Sequence, residues 1–277
     1  GDVYKRQAST GKLSVTGYQD YNDAQKILKE VNKYRKKNGR KALKMDRGLT
    51  NSAIMRGFET TIYIPETSPH RRPNGKLSKS INKKIIYENC AQSAETTPKQ
   101  IVKGWINSST HRKGLLLSNA KSVGVAAVTV VSRDGYEANT WVLDFSSSKA
   151  KKVEKSKARK QFTKNIVTKN SYLKKSYLKL DSRYGTIWET EKMQMKPTYQ
   201  GKMMKEYGVY PTVINASSFT SWKSSNPSVA SVDSNGRITG NKAGTATISA
   251  KLKTGTKITI SKKIKVVPTN QQIDPWE

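Results

Sequence analysis

A single cysteine, Cys90, stands in the 277 residues, so no disulfide can form within the chain. That excludes the small secreted domain stapled by disulfides and leaves Cys90 to be read as a small buried hydrophobe. Long apolar runs are lacking too: nothing approaches the roughly 18 consecutive apolar residues that a membrane span needs. No transmembrane segment is therefore expected. Acidic residues are few, 20 against 52 Lys and Arg, for a formal net charge of +32. Such a balance draws a protein towards polyanions, either nucleic acid or anionic cell-wall polymers and lipid head groups. No RNP-type, helix-turn-helix or zinc-finger pattern is present, which disfavours nucleic acid. Histidine is scarce as well, with His70 and His111 alone.

What is present divides along the chain. Residues 1–18 read as a disordered N-terminal segment. The chain starts at Gly1 rather than Met, so an export signal is expected to have been removed or left out. From Asn22 the pattern is helices followed by strands. Asn22 and Gln25 resemble a capping box, with Ala24, Ile27, Leu28, Val31 and Tyr34 at helical spacing behind them and Gly39 as the stop. A second helix is expected near Leu49–Thr60, carrying Arg56 and Glu59. A third opens at Thr97-Pro98, with Gln100 as the partner of the cap. Two strands, Ser122–Val131 and Tyr136–Phe145, are joined through Asp134-Gly135, a hairpin signal. Between Lys149 and Lys169 stand nine Lys or Arg and one Glu, which reads as a basic linker at 148–170 kept extended by repulsion. Beyond it the chain is β-rich and punctuated by turns at Asn226-Pro227, Asn235-Gly236, Gly240 and Gly244. Ala246, Ile248 and Ala250 alternate with polar residues as in a half-exposed strand. Residues 269–277 read as a frayed tail.

The run from Trp222 to Asp233, then Asn235-Gly236-Arg237-Ile238-Thr239-Gly240, then Ala243 to Ala250, closely resembles the group-2 bacterial Ig-like domain. The resemblance implies a β-sandwich over about 171–268, with Trp222 plugging it, and a spacer or adhesion role without catalysis. It weakens between Asp181 and Ser221, where an inserted or divergent hairpin is expected.

Four pieces over residues 20–146 resemble the CAP superfamily of SCP-like, cysteine-rich secretory and pathogenesis-related proteins. They are Val31 to Arg35, His70 to Gly75, Tyr87-Glu88-Asn89-Cys90-Ala91, and Trp105 to Arg112, followed by the strand from Ser122. The resemblance implies an α-β-α sandwich at 19–147. The whole chain is thus an α+β CAP domain followed by an all-β Ig-like domain. Carried over position by position, the family's cleft falls on His70, Glu88 and His111, with Asn89 and Ser108 beside them. A second acidic residue found in many relatives is replaced here by Ser108.

Two imidazoles and a carboxylate can bind a divalent metal such as zinc, with His70 and His111 as the ligands, or can polarise an organic ligand. No nucleophile motif and no His-Glu-x-x-His helix accompany them, so binding is favoured over catalysis. Three functions follow. The first is a secreted or cell-surface protein of the wall, whose cleft binds a lipid or peptide ligand and whose Ig-like domain holds or spaces it. The second is a metal-assisted hydrolase of peptide or wall material. The third is a structural protein binding polyanions such as teichoic acid, with a vestigial cleft. Low cysteine and high lysine point to a Gram-positive host.

Overall fold

The computed structural model describes residues 9–62, 70–93, 96–181 and 185–273. Its chain divides into two units, residues 16–164 and residues 1–15 with 165–277. No helix among the described residues is long and apolar enough to cross a membrane.

The elements of residues 16–164 run in order. They are β1 (Thr10–Asp20, which begins before the division), α1 (Tyr21–Lys37), β2 (Lys44–Met45), α2 (Arg47–Ile62), β3 (Tyr87–Ser93), α3 (Pro98–Asn107), α4 (Ser109–Leu115), β4 (Ser122–Val131), β5 (Glu137–Ser146) and β6 (Arg159–Lys169, which ends beyond it). The strands form one sheet in the order β3-β5-β4-β1-β6, with β2 against β4. Alternation along β4 and β5 separates two faces. Val123, Val125 and Ala127, with Trp141, Leu143 and Phe145, pack with Ile27 and Val31 of α1 and Ile101, Val102 and Trp105 of α3. The intervening positions meet α2: Gly57 lies directly on Val128, and Gly124 lies directly on the Leu49 backbone. The architecture is helix, sheet, helix.

The close approach at Gly124 makes a sharp prediction. A Cβ there would stand 2.2 Å from the Leu49 carbonyl oxygen, whereas at Gly104 nothing lies within 4 Å. Gly124→Ala is expected to lower the thermal midpoint by several degrees or more, at an overpacking cost of about 1–3 kcal/mol. Gly104→Ala, on an exposed helix position, is expected to raise it slightly. Thermal circular dichroism on the two variants checks both.

The third helix begins as its sequence demands: Thr97 and Gln100 form a complete capping box with Pro98 in the first turn. Elsewhere the structure departs from expectation. The N-cap of α1 is Asp20, whose carboxylate accepts the Asp23 N–H at 2.9 Å, and Asn22 lies inside the helix. Residues 9–18, expected to be disordered, are ordered; residues 1–8 lie outside the described residues. In β1, Leu13 and Val15 are buried, and Gln19 spans the sheet, donating to the Val125 carbonyl and accepting the Ala127 N–H. The basic stretch at 148–170 is not a free tether. Val153 bridges Asp46, Glu154 is buried against Arg47, and β6 closes the sheet edge. Lysines suit an exposed edge, where they deter pairing with other chains, and Arg159 and Lys160 lie over the Tyr18 and Tyr21 rings.

The second unit is β-rich. The strands β7 (Leu178–Asp181), β8 (Thr186–Trp188), β9 (Lys192–Gln194), β10 (Lys196–Tyr199), β11 (Thr212–Val213), β12 (Phe219–Ser224), β13 (Ala230–Val232), β14 (Arg237–Gly240), β15 (Gly244–Leu252) and β16 (Thr259–Val267) make three sheets. Their orders are β12-β15-β16-β8, β13-β14-β9 and β11-β10-β7. Ala246, Ile248 and Ala250 are buried with Ile187, Ile238 and Ile264, as the alternation requires. The third sheet, with α5 (Lys202–Glu206), occupies much of the stretch where the Ig-like pattern weakens. Trp222 does not plug the core. It is half-buried across Gly236, at φ +73°, where a Cβ would stand 2.7 Å from the indole. The tail is described only to residue 273, so residues 274–277 of that expectation lie outside the described residues.

Candidate functional site

Strand β3 is the edge of its sheet and carries Glu88, Asn89 and Cys90. Alternation turns Glu88 towards α2, where Arg56 meets it: Nε donates to Oε2 at 2.8 Å and Nη2 to Oε1 at 3.2 Å. Arg56 also donates from Nη1 to Glu59 at 2.7 Å, and Arg72 donates to the other Glu59 oxygen at 2.7 and 2.8 Å. His70 completes the series, with Nδ1 3.0 Å from Glu88 Oε1. Four side chains, Arg72-Glu59-Arg56-Glu88, therefore alternate in charge from the loop through the α2–sheet interface to the strand edge, and the His70 imidazole ends the series. Arg56 and Glu59 are fully buried, whereas the His70 side chain is 39% exposed at the open end.

Burial alone would push the Glu88 carboxyl up. The hydrogen bonds from His70 and Arg56, with the charge of Arg56, outweigh it and hold the group at about 2. Glu88 is then an anion at neutral pH, so Nδ1 of His70 carries the proton and donates it. Burial lowers the Arg56 pKa, but Glu88, and less strongly Cys90 and Glu59, raise it beyond its ordinary value. Asp144 pairs with Glu88 in the β3–β5 register. Its carboxyl group is fully buried, and neither oxygen receives a hydrogen bond from a described residue. Burial and the Glu88 charge push its pKa well up. Cys90 is shifted upward by the same two causes, which leaves a thiol rather than a reactive thiolate.

His111 approaches from the other helical layer. It lies in the first turn of α4, and Nδ1 is 2.9 Å from the Ser108 hydroxyl, the residue between α3 and α4. Asn89 donates from Nδ2 to the His111 carbonyl at 2.9 Å, and Tyr87 donates to the Thr110 carbonyl at 3.0 Å. Gly114 of α4 packs directly on Asn89 and Tyr87. Arg35, buried in α1, donates to the carbonyls of Leu115 and Leu117 and so fixes the far end of the same helix. Burial lowers the His111 pKa first, and the nearby charge of His70 lowers it further.

The structure thus brings His70 onto Glu88 directly, and joins Asn89 and Ser108 to His111. Among the described residues, the group of metal-type donor atoms lying within 4.8 Å of one another is His70, Glu88 and Cys90, without His111. These residues fit a zinc ion poorly. Arg56 and His70 already take both Glu88 oxygens, so a metal there would have to displace them.

Several members escaped sequence reasoning. Arg72 carries no signal that marks its partner, yet it clamps Glu59. Arg56 and Glu59 carried a usable signal, since charges three apart on the packing face of a helix call for buried partners. Asp144, a lone acid in an apolar strand, carried the same one.

Two parts of the chain match known families. Residues 28–145 match the cysteine-rich secretory protein family, CAP, and residues 194–264 match the bacterial Ig-like domain, group 2. The protein YkwD of Bacillus subtilis (strain 168) is 33% identical over 119 residues, 42% of this chain and 44% of that protein. The chain therefore spans less than half the length of that relative. Among solved structures, an extracellular SCP-domain protein of Bacillus anthracis str. Ames aligns at 18% identity and TM-score 0.35, covering 45% of this chain and 41% of that one. An outer surface protein of Borrelia burgdorferi aligns at 17% identity and TM-score 0.37, covering 47% and 98%. Residues 28–145 are a CAP domain, and residues 194–264, following it, are a group-2 bacterial Ig-like domain.

Proposed function

We propose that this is an extracellular binding protein of the bacterial envelope. In this reading the cleft between His70 and His111 takes a small or extended ligand, and the Ig-like domain spaces or attaches it. The observation that carries this reading is the open end of the buried charge series: an imidazole 39% exposed, resting on an anion that is itself 2% exposed. With the Nδ1 proton given to Glu88, Nε2 of neutral His70 is an acceptor towards a ligand, and the Ser108 hydroxyl orients the His111 ring. Hydrolysis is the weaker reading. A carboxylate held at about 2 by its partners is a poor general base at neutral pH. Lipids and peptides of the envelope are the ligands to try, and a Gram-positive surface is the proposed setting.

Two histidines in the whole chain make a clean probe. The full chain, labelled with ¹⁵N-histidine, would be titrated with wall peptides, peptidoglycan fragments and phospholipid vesicles. The reading expects imidazole shifts with at least one of these, lost in Glu88→Gln. Silence across the panel would contradict it, as would turnover of peptide or wall material that disappears in Glu88→Gln.

A further inference from the structure

A second surface of the CAP domain lies where β2 and the segment before β6 run beside α1. A groove of about 340 Å³ opens there, with Leu28, Leu43, Met45 and Val153 as its apolar lining and Lys44, Lys155 and Lys157 around it. The lysines extend further along the chain. Lys149, Lys151 and Lys152 precede the groove, and all six are exposed. None of the six forms an ion pair with a described residue, and the backbone that carries them is tied down. Arg47 N–H donates to the Lys152 carbonyl, Glu154 N–H to Met45, and Tyr21 N–H to Ala158. Gln25 donates to the carbonyls of Glu154 and Ser156. The acid in the strip, Glu154, is buried: it receives Arg47 and the N–H groups of Lys155 and Ser156, so its charge is internally compensated. Asp46, beside it, is likewise buried and accepts the N–H groups of Leu49 and Lys151. Acids are drawn inward here while lysines are left outside.

We infer that this strip and groove form a docking surface for a phosphodiester polymer whose phosphates are separated by short polyol spacers. The fit lies in the alternation. Lysine ammonium groups are point charges suited to phosphate, and the apolar lining accepts the carbon skeleton of a spacer. A uniform polyphosphate would leave that lining unused. Single-stranded nucleic acid suits it less, because no aromatic residue lines the groove to stack a base, and Tyr18 and Tyr21 are already covered by Arg159 and Lys160. The ordered backbone distinguishes this surface from a free basic tether, since the main chain that carries its cations needs no further ordering on binding. No residue of the histidine site lines this groove.

The test uses the full chain and poly(glycerol phosphate) of defined length, with binding measured by calorimetry over a range of salt. One variant converts Lys44, Lys151, Lys152, Lys155 and Lys157 to Gln. A second, matched in charge, converts Lys83, Lys84, Lys99, Lys103 and Lys121. The first is expected to weaken binding by about tenfold or more and to flatten the salt dependence by roughly one unit of log–log slope for each phosphate no longer held. The second should weaken it by less than about threefold and keep the slope. Equal weakening would overturn the inference in favour of diffuse charge, and no binding by the unaltered chain would overturn it outright. Tighter binding of an oligodeoxythymidylate with the same number of phosphates would overturn it in favour of nucleic acid. Glu88→Gln should leave polymer binding unchanged. Loss there, with movement of the histidine signals, would place the polymer in the cleft and refute the surface.

Discussion

Replacing Arg56 by leucine is expected to cost about 3–5 kcal/mol, enough to unfold much of the CAP domain at physiological temperature. The guanidinium is fully buried and touches two carboxylates, Glu59 at 2.7 Å and Glu88 at 2.8 Å. Removing it leaves Glu59 to Arg72 alone and Glu88 to His70 alone, in a region poor in water, and the penalty comes from those under-compensated buried charges more than from the missing hydrogen bonds. Arg72→Leu should cost less, because Glu59 keeps Arg56 and the Arg72 side chain is 14% exposed. Arg56→Lys should fall between the two, keeping the charge but losing the planar fork that reaches both partners. Chemical denaturation of the three variants beside the unaltered chain gives the order. A cost for Arg56→Leu no greater than that for Arg72→Leu would mean that the charge series does not hold α2 to the strand edge.

Asp144→Asn is expected to stabilise the protein at neutral and alkaline pH. The folded-state pKa of Asp144 is raised by burial and by Glu88, so the native chain retains a proton that the unfolded chain releases above about 4. Its contribution is complete only below that value, and stability declines as pH rises towards the folded-state pKa. An amide needs no proton and can donate its N–H to Glu88. The gap between variant and unaltered chain should therefore widen from about pH 4 upward. Glu88 acts in the opposite sense. Its pKa, held at about 2, supplies stability above roughly 4 that is lost as pH falls towards 2. Together the two carboxyls place their best combined stability in mildly acidic solution. Thermal midpoints from pH 3 to 9 test this. A variant that is less stable at pH 8, or a gap that does not vary with pH, would show that Asp144 is not the holder of a buried proton.

The elements legible in the sequence were those whose signals are local. Thr97, Pro98 and Gln100 start a helix in any context, and Asp134-Gly135 turns a hairpin, with Gly135 at φ +83°. Strand β4 was readable end to end because its apolar run is continuous. Strand β1 was not: Leu13 and Val15 stand among polar residues and glycines, and their burial depends on partners far along the chain. The lysines of β6 repel in isolation, which is all that a linear reading sees, while the edge of a sheet accommodates them. The same limit shaped the site. The two histidines and Glu88 stand out through short motifs, but the clamp from Arg72 to Glu59 and the pairing of Asp144 with Glu88 exist only once α2 and β5 are placed against β3. The N-cap of α1 shows the error in miniature. Asp20 and Asn22 are both able caps, and which one serves is decided by where β1 ends.

The central claim of the proposed function is that His70, on the loop before β3, and His111, on α4, face one cleft. The direct test is the midpoint of His111 by NMR in the full chain and in His70→Ala. The account predicts a midpoint below the ordinary 6.5, from burial and the His70 charge, that rises part of the way back when His70 is removed. A His111 midpoint indifferent to His70→Ala would contradict it, and would separate the two histidines into unconnected sites.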